Sequence, residues 1–285
     1  MPQSTLVTGA TGKLGRIIVR QLLAAGIPVR ALTRRPEIAA SLFGRRIEIA
    51  VGDFNDRDSL DRAFTSVDRL LLLSPISEAL ARDQIGVIDA AERRNVRRVV
   101  KISGSDWTID PPGRSISGMK HAEVERRLDA SPIEAVSLRP NAWMQVSLPR
   151  YVAQIKADQR LLAAFGDAAV SFIDARDVAD VAVHQLLADR LEGGPLVLTG
   201  RTALSVHDIA GIAARELHRP VVVASEATPT ASGPQSFEQR AVAEFLTLIG
   251  QGGAAATTSA VARLLGRAPR TVEAFLAEHL AAVAA

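Results

Sequence analysis

A chain of 285 residues, 47% hydrophobic and 23% charged, has ample material for a core, enough for about two domains, and excludes global disorder. Its 34 Lys and Arg face 31 Asp and Glu, a net charge of only +3, and its arginine pairs stand close to acidic residues, so no nucleic-acid surface is expected. The lack of cysteine excludes disulfides and thiolate metal sites. No apolar run reaches the ~18 residues of a membrane span, and Met1-Pro2-Gln3-Ser4 is unlike a signal peptide, so a cytoplasmic protein is expected.

In chain order, Thr5-Leu6-Val7-Thr8 reads as a strand, followed by Gly9-Ala10-Thr11-Gly12-Lys13-Leu14-Gly15 and an amphipathic helix over 16–25. This strand, glycine-rich turn and helix is the context of a dinucleotide-binding turn, although the glycines are spaced G-x-x-G-x-x-G. Gly9 permits the tight turn, Gly12 lets backbone approach a pyrophosphate, and Gly15 lets helix and strand pack closely. A second strand over 28–33 ends at Arg34-Arg35, where an Asp or Glu would bind the ribose 2′-hydroxyl of NAD. A guanidinium suits a 2′-phosphate instead, so NADP(H) is the expected cofactor, with NAD(H) the alternative if both arginines merely face water.

Further strands are expected over 47–51, 67–73, 97–102 and 133–138, alternating with helices near 59–64, 79–94 and 119–128; Asp56 is placed to cap the first of these. Six β units joined by helices imply an α/β, Rossmann-type doubly wound parallel sheet, with helices on both faces and a smaller C-terminal α/β substrate lobe. Ligands in such folds bind beyond the carboxyl ends of the strands, where Gly9, Arg34, Asp53, Ser74 and Ser103 all fall. The expected division is a nucleotide-binding domain over 1–141 and a substrate lobe over 142–285, with about 170–190 returning to the first domain. In the last third, strands are expected at 170–173 and 195–198, helices at 174–187, 205–217, 236–249, 258–265 and 270–282, and a loop at 228–235. Ser205 and Asp208 form a weaker capping box.

Several stretches together resemble the atypical short-chain dehydrogenase/reductase superfamily in its NmrA-like branch, which includes quinone oxidoreductase-like members. They are 8–15 with its Gly9-Ala10-Thr11-Gly12 core, Gly52-Asp53-Phe54, Lys101-Ile102-Ser103, Leu138-Arg139-Pro140-Asn141, Phe172-Ile173-Asp174-Ala175-Arg176-Asp177-Val178-Ala179, Leu198-Thr199-Gly200 and Ala268-Pro269-Arg270-Thr271-Val272-Glu273. The resemblance implies that Gly9, Thr11, Gly12, Leu14 and Gly15, with Lys13 among them, meet the pyrophosphate. It further implies Arg34 on the 2′-phosphate, Asp53 and Phe54 at the adenine, and Ser74 with Pro75 at the nicotinamide ribose. Active members carry Tyr-x-x-x-Lys; aligned on Lys120, this chain has Ile116 in place of the tyrosine, and its one tyrosine, Tyr151, lies elsewhere.

Without that phenol, ordinary ketone reduction lacks its proton donor. A quinone reduced by hydride ends as a phenolate, which titrates near ~10 and needs far less help, so a quinone-like, enone or flat aromatic acceptor is expected. Lys120 is a candidate for holding the ribose or acting electrostatically, against a plain surface lysine. Ser103 can bond substrate or nicotinamide or merely end its strand. His121 can supply a proton near neutrality or serve as a surface group. Trp107, Asn141, Trp143, Met144 and Phe165 are the candidate substrate residues, although such aromatics also build cores. The scattered His184, His207, His218 and His279 give no metal spacing. A tailoring oxidoreductase or oxygenase of aromatic natural products, and a non-catalytic NAD(P)-sensing regulator, remain alternatives; the expected partner is a small molecule, with a homodimer left open.

Overall fold

The computed structural model describes residues 4–163, 165–225 and 235–281. All but Gln235 of the loop expected over 228–235, and the last residue of the helix expected over 270–282, lie outside them. The first elements alternate strictly: β1 (Ser4–Thr8), α1 (Lys13–Ala24), β2 (Val29–Thr33), α2 (Pro36–Phe43), β3 (Glu48–Val51), α3 (Arg57–Ala63), β4 (Val67–Leu72), α4 (Leu80–Arg93) and β5 (Arg98–Ile102). After these come α5 (Asp106–Ile109), α6 (Ile116–Asp129), β6 (Glu134–Pro140), α7 (Met144–Ser147), α8 (Pro149–Asp158), β7 (Arg160–Ala163) and α9 (Ala175–Leu187). The chain finishes with β8 (Leu196–Leu198), α10 (Val206–Leu217), β9 (Val222–Ser225), α11 (Phe237–Gly250), α12 (Ala260–Leu265) and α13 (Val272–Leu280).

Seven strands form one sheet in the order β3-β2-β1-β4-β5-β6-β8. Pairing is parallel from β3 through to β6. The strand order reverses between β1 and β4, and this parting of the chain is where a doubly wound sheet leaves a crevice at its carboxyl edge. Strands buried on both faces show little of the alternation of a half-exposed strand, and β1 carries Thr5, Leu6, Val7 and Thr8 all fully buried. α1 repays the pattern with Leu14, Ile18, Val19 and Leu22 on its inner stripe. Asp56 caps α3 by accepting from the N–H groups of Asp58 and Ser59. Ser205 and Asp208 close a reciprocal capping box on α10.

The chain falls into two compact units. One comprises Met1–Gly104, Ser117–Arg139 and Val178–Leu196; the other comprises Ser105–Ile116, Pro140–Asp177 and Val197–Ala285. The second unit has its own core, with Met144, Tyr151, Ile155, Phe172, Leu248 and Phe275 among its buried members. It also contains a parallel two-stranded sheet, β7 with β9.

The strand expected over 170–173 does not form. Val170 makes an isolated antiparallel bridge to Leu204 and Ile173 a parallel one to Trp143. Its interior instead bonds to a turn: the Ser171 N–H donates to the Ala254 carbonyl and its hydroxyl to the Ala256 carbonyl. With a turn as partner no ladder can continue, and the seventh strand of the main sheet is β8.

Candidate active site

At the carboxyl edge of the sheet, the buried Thr8 hydroxyl donates to the Leu73 carbonyl at 2.7 Å and accepts from the Leu73 N–H at 2.7 Å. This pins the ends of β1 and β4 together where the crevice opens. The next residue, Gly9, turns with φ +62°, and a Cβ there would stand 2.9 Å from the Leu73 carbonyl oxygen. A Cβ on Gly15 would stand 2.2 Å from the Gly9 carbonyl oxygen, so helix and turn approach as closely as glycine alone allows. Gly12 N-caps α1 without any side-chain bond, the first turn holds no acidic residue, and Gly12 and Lys13 are exposed. The first-turn N–H groups therefore face outward with the positive end of the helix dipole behind them, which is the donor set an anion requires. Leu14 is buried and anchors the turn, while the Thr11 carbonyl accepts from Arg16 Nε.

Arg34, at the end of β2, has a side chain 79% exposed, and its guanidinium stands 3.6 Å from Asp53 Oδ2. Such an exposed pair is weak, so the guanidinium is free to turn to a phosphate. Asp53 Oδ1 accepts from the Asn55 N–H at 2.9 Å, and this bond, aided by the Asn55 side chain and Arg34, holds the carboxyl below its usual value. Phe54 is half-buried against the core beneath it. Ser74 follows β4; its hydroxyl accepts from the buried Gln84 Nε2 at 2.8 Å, and Pro75 beside it is exposed.

Ser103 ends β5 within a buried polar cluster. Along β5, Lys101 and Ser103 alternate onto one face. α6 presents Ser117, His121, Val124, Glu125 and Leu128 on its buried stripe. Lys101 is fully buried, and Ser103, His121, Glu125 and Arg139 are nearly so. The Lys101 ammonium lies 2.8 Å from Ser103 Oγ and 3.0 Å from His121 Nδ1. Ser103 Oγ donates to Glu125 Oε1 at 2.5 Å, and Arg139 clamps the same carboxylate through Nε and Nη2. Burial pushes Lys101 down to about 7, against the pull of Glu125 and with the push of Arg139. Burial, with Lys101 and Arg139 nearby, likewise drives His121 well below its ordinary value, so its imidazole is neutral.

Lys120 and Ile116 lie off that stripe and are half-buried. The i, i+4 series turned to β5 runs Ser117, His121, Glu125, and it contains no tyrosine. Lys101, Glu125 and Arg139 were not singled out from the sequence as site residues. The available signal was a lysine directly after the apolar pair Val99-Val100, two residues before Ser103.

The remaining candidates sit in the second unit. Trp107 is buried, donates from Nε1 to Asn141 Oδ1 at 2.8 Å and lies 4.7 Å, ring to ring, from Phe245. Asn141 Oδ1 also accepts from the Ala142 N–H, and its Nδ2 donates to Ser171 Oγ and to the Ala254 carbonyl. Its polar atoms are thus spent on protein partners. Trp143 is half-buried, and Phe165 packs near Tyr151 with ring centroids 6.5 Å apart. Met144 and Phe172 form part of a pocket of about 410 Å³ that Leu204, Val272, Arg201 and Arg270 also line. Its size suits a small ligand. Among the described residues no cluster of three His, Cys, Asp or Glu could hold a metal ion, and no helix is long and apolar enough to cross a membrane.

A family model described as NAD(P)H-binding matches residues 9–189. A (4-alkanoyl-5-oxo-2,5-dihydrofuran-3-yl)methyl phosphate reductase of Streptomyces griseus is 32% identical, the match covering 98% of this chain and 99% of that protein. An NAD(P)H azoreductase of Xenophilus azovorans is 29% identical over 98% of this chain and 99% of its own length. Among solved structures, an NADPH-dependent quinone oxidoreductase from Escherichia coli in complex with NADPH superposes with a TM-score of 0.82 at 21% identity, covering 99% of this chain and all of that one.

Proposed function

The chain belongs to the NAD(P)H-binding family, in the NmrA-like branch of the atypical short-chain dehydrogenase/reductases, and from that premise we propose that it uses NADPH to reduce a flat, conjugated small molecule, quinone-like or aromatic. The glycine cradle fits the dinucleotide: Gly9 and Gly15 stand where a Cβ would collide with backbone, and the uncapped N-terminus of α1 offers its N–H groups to a pyrophosphate. Arg34 then grips the 2′-phosphate, Asp53 and Phe54 border the adenine, and Ser74 with Pro75 borders the nicotinamide ribose. When bound, the cofactor supplies a hydride. Ser103 orients the acceptor. Lys120, half-buried and off the inner stripe of α6, is left with an electrostatic role.

The observation that carries the acceptor class is the buried stripe of α6, which places Ser117, His121 and Glu125 against β5 with no phenol among them. The chain's one tyrosine, Tyr151, is buried in the core of the other unit. A site without that acid favours acceptors that delocalise the incoming electron pair over an isolated ketone. The relatives agree in chemistry: the substrate for which the Streptomyces reductase is named carries a ring double bond conjugated to two carbonyls, and an azoreductase acts on a conjugated N=N bond.

Arg34→Glu tests the cofactor half. Charge reversal beside a 2′-phosphate is expected to weaken NADPH binding about 100-fold and NADH binding less than threefold. Equal losses for both nucleotides would remove the 2′-phosphate contact from the account.

A further inference from the structure

The buried cluster on β5, α6 and β6 has an unequal charge count. Arg139 and Glu125 neutralise each other through their bidentate contact, and His121 is neutral. That leaves the Lys101 proton without a counter-charge of its own. The ladder neighbours of Lys101 are Leu72 on β4 and Ser137 on β6, which carry no charge; among the described residues the titratable groups that face it are Glu125 and His121 from α6 and Arg139 from β6. A fully buried ammonium in a net positive cluster gives up its proton easily. Its exit is also defined, because Ser103 Oγ, 2.8 Å away, lies at the carboxyl end of the strand on the edge where ligands of this fold bind.

We propose that Lys101 is the proton store of this reductase, delivering through the Ser103 hydroxyl the proton that must accompany the hydride, in place of the absent tyrosine. The proposal rests on the reductase reading above. For an azo acceptor, an N–H bond forms at one nitrogen from the hydride that leaves NADPH as NADP⁺, and the N=N π pair moves to the other nitrogen. That nitrogen takes the proton of Ser103 Oγ, and the hydroxyl regains one from the Lys101 ammonium. Lys101 is left as a neutral amine, held by Ser103 and His121, until a proton from water returns through Ser103 once product has left. Glu125, from which the serine hydroxyl turns away during delivery, keeps its contacts to Arg139. Lys101 acts through Ser103 and is a positioning and proton-holding residue, out of contact with the acceptor.

The test uses the full-length protein, Lys101→Met and Lys101→Arg, the latter keeping a cation that never yields its proton at neutral pH. Two acceptors are compared in single-turnover reduction by NADPH across the neutral range. Methyl red leaves a strongly basic nitrogen; 1,4-naphthoquinone leaves a phenolate that titrates near ~10. In both variants methyl red reduction is expected to fall about 100-fold and naphthoquinone reduction by well under tenfold, with NADPH affinity within about threefold. The wild-type rate with methyl red is expected to decline as pH rises through about 7, and the variants to lose that break. In parallel, one of the four lysine Cε resonances of the wild type is expected to titrate near neutrality, which decides the matter if neither variant folds. Variants that keep the wild-type pH profile, or a Lys101 resonance that titrates only in the ordinary alkaline range, would overturn the proton store alone. Wild-type protein that binds NADPH and reduces neither acceptor would overturn the reductase reading and the store with it.

Discussion

Replacing Lys101 by methionine keeps the reach of the side chain and removes the amine, so it isolates what the buried ammonium does to stability. The folded-state pKa is lowered from 10.5 to about 7 by burial. Below pH 7 the amine is protonated in both folded and unfolded chains, and the full cost of burying the charge is borne; as pH rises from 7 towards 10.5 the folded state sheds the proton first and the cost fades. Lys101 therefore makes the protein more stable as pH rises through that window. Integrating the linkage between these two pKa values gives a cost of roughly 5 kcal/mol near pH 6 that has mostly faded by pH 9.5. The pH-independent loss of the amine's hydrogen bonds to Ser103 and His121 cancels in the comparison. Urea titrations of wild type and Lys101→Met at the two pH values should thus show the variant gaining about 3 kcal/mol more at the lower pH. A gain equal at both, within about 0.5 kcal/mol, would refute the claim that Lys101 is buried with a depressed pKa.

Glu125→Gln leaves the buried Arg139 guanidinium without its counter-ion and is expected to cost about 3–5 kcal/mol in a denaturant titration; a cost below ~1 kcal/mol would mean the pair is dispensable. Asn141→Ala strips partners from Trp107 Nε1, the Ala142 N–H and the Ala254 carbonyl together, so a loss of about 3 kcal/mol is expected, whereas a near-neutral effect would show that the tie is not structural. Gly15→Ala places a Cβ 2.2 Å from the Gly9 carbonyl oxygen and must move α1 off its turn. NADPH affinity should then drop at least about tenfold in a fluorescence titration, and unchanged affinity would remove the cradle from the binding site.

The N-terminal half was legible because each signal there is local and strong. The β1 apolar run, the glycines, and Asp56 at the head of α3 each fix their element with little help from distant residues. α2 is hard to see in the sequence because its start, Pro36 at the first helical turn, follows the conspicuous Arg34-Arg35 pair and its eight residues span barely two turns. α8, β7 and β9 are likewise hard to see: β7 and β9 are four residues each, too short for alternation to stand out, and they exist by pairing with each other across about 60 residues of chain. The segment 170–173 shows the converse, a short apolar-rich run with the look of a strand that meets a turn at Ala254 and Ala256. In the candidate site, the sequence directed attention to Lys120 by its position in a motif. Whether a lysine on a helix faces the sheet depends on rotation by a single residue, about 100°, and it is His121 that lands on the buried stripe. Lys101 carries no such signal, because nothing in one strand's sequence reveals that a helix 20 residues on brings His121 to its amine.

The central claim, that this chain is an NADPH-dependent reductase of conjugated acceptors, is tested most directly by following NADPH consumption by the purified protein with methyl red and with 1,4-naphthoquinone, NADH serving as the comparison. Acceptor and NADPH are expected to disappear together, with kcat/KM for NADPH at least about tenfold above that for NADH. Tight nucleotide binding with no turnover of either acceptor, or a preference for NADH, would contradict it.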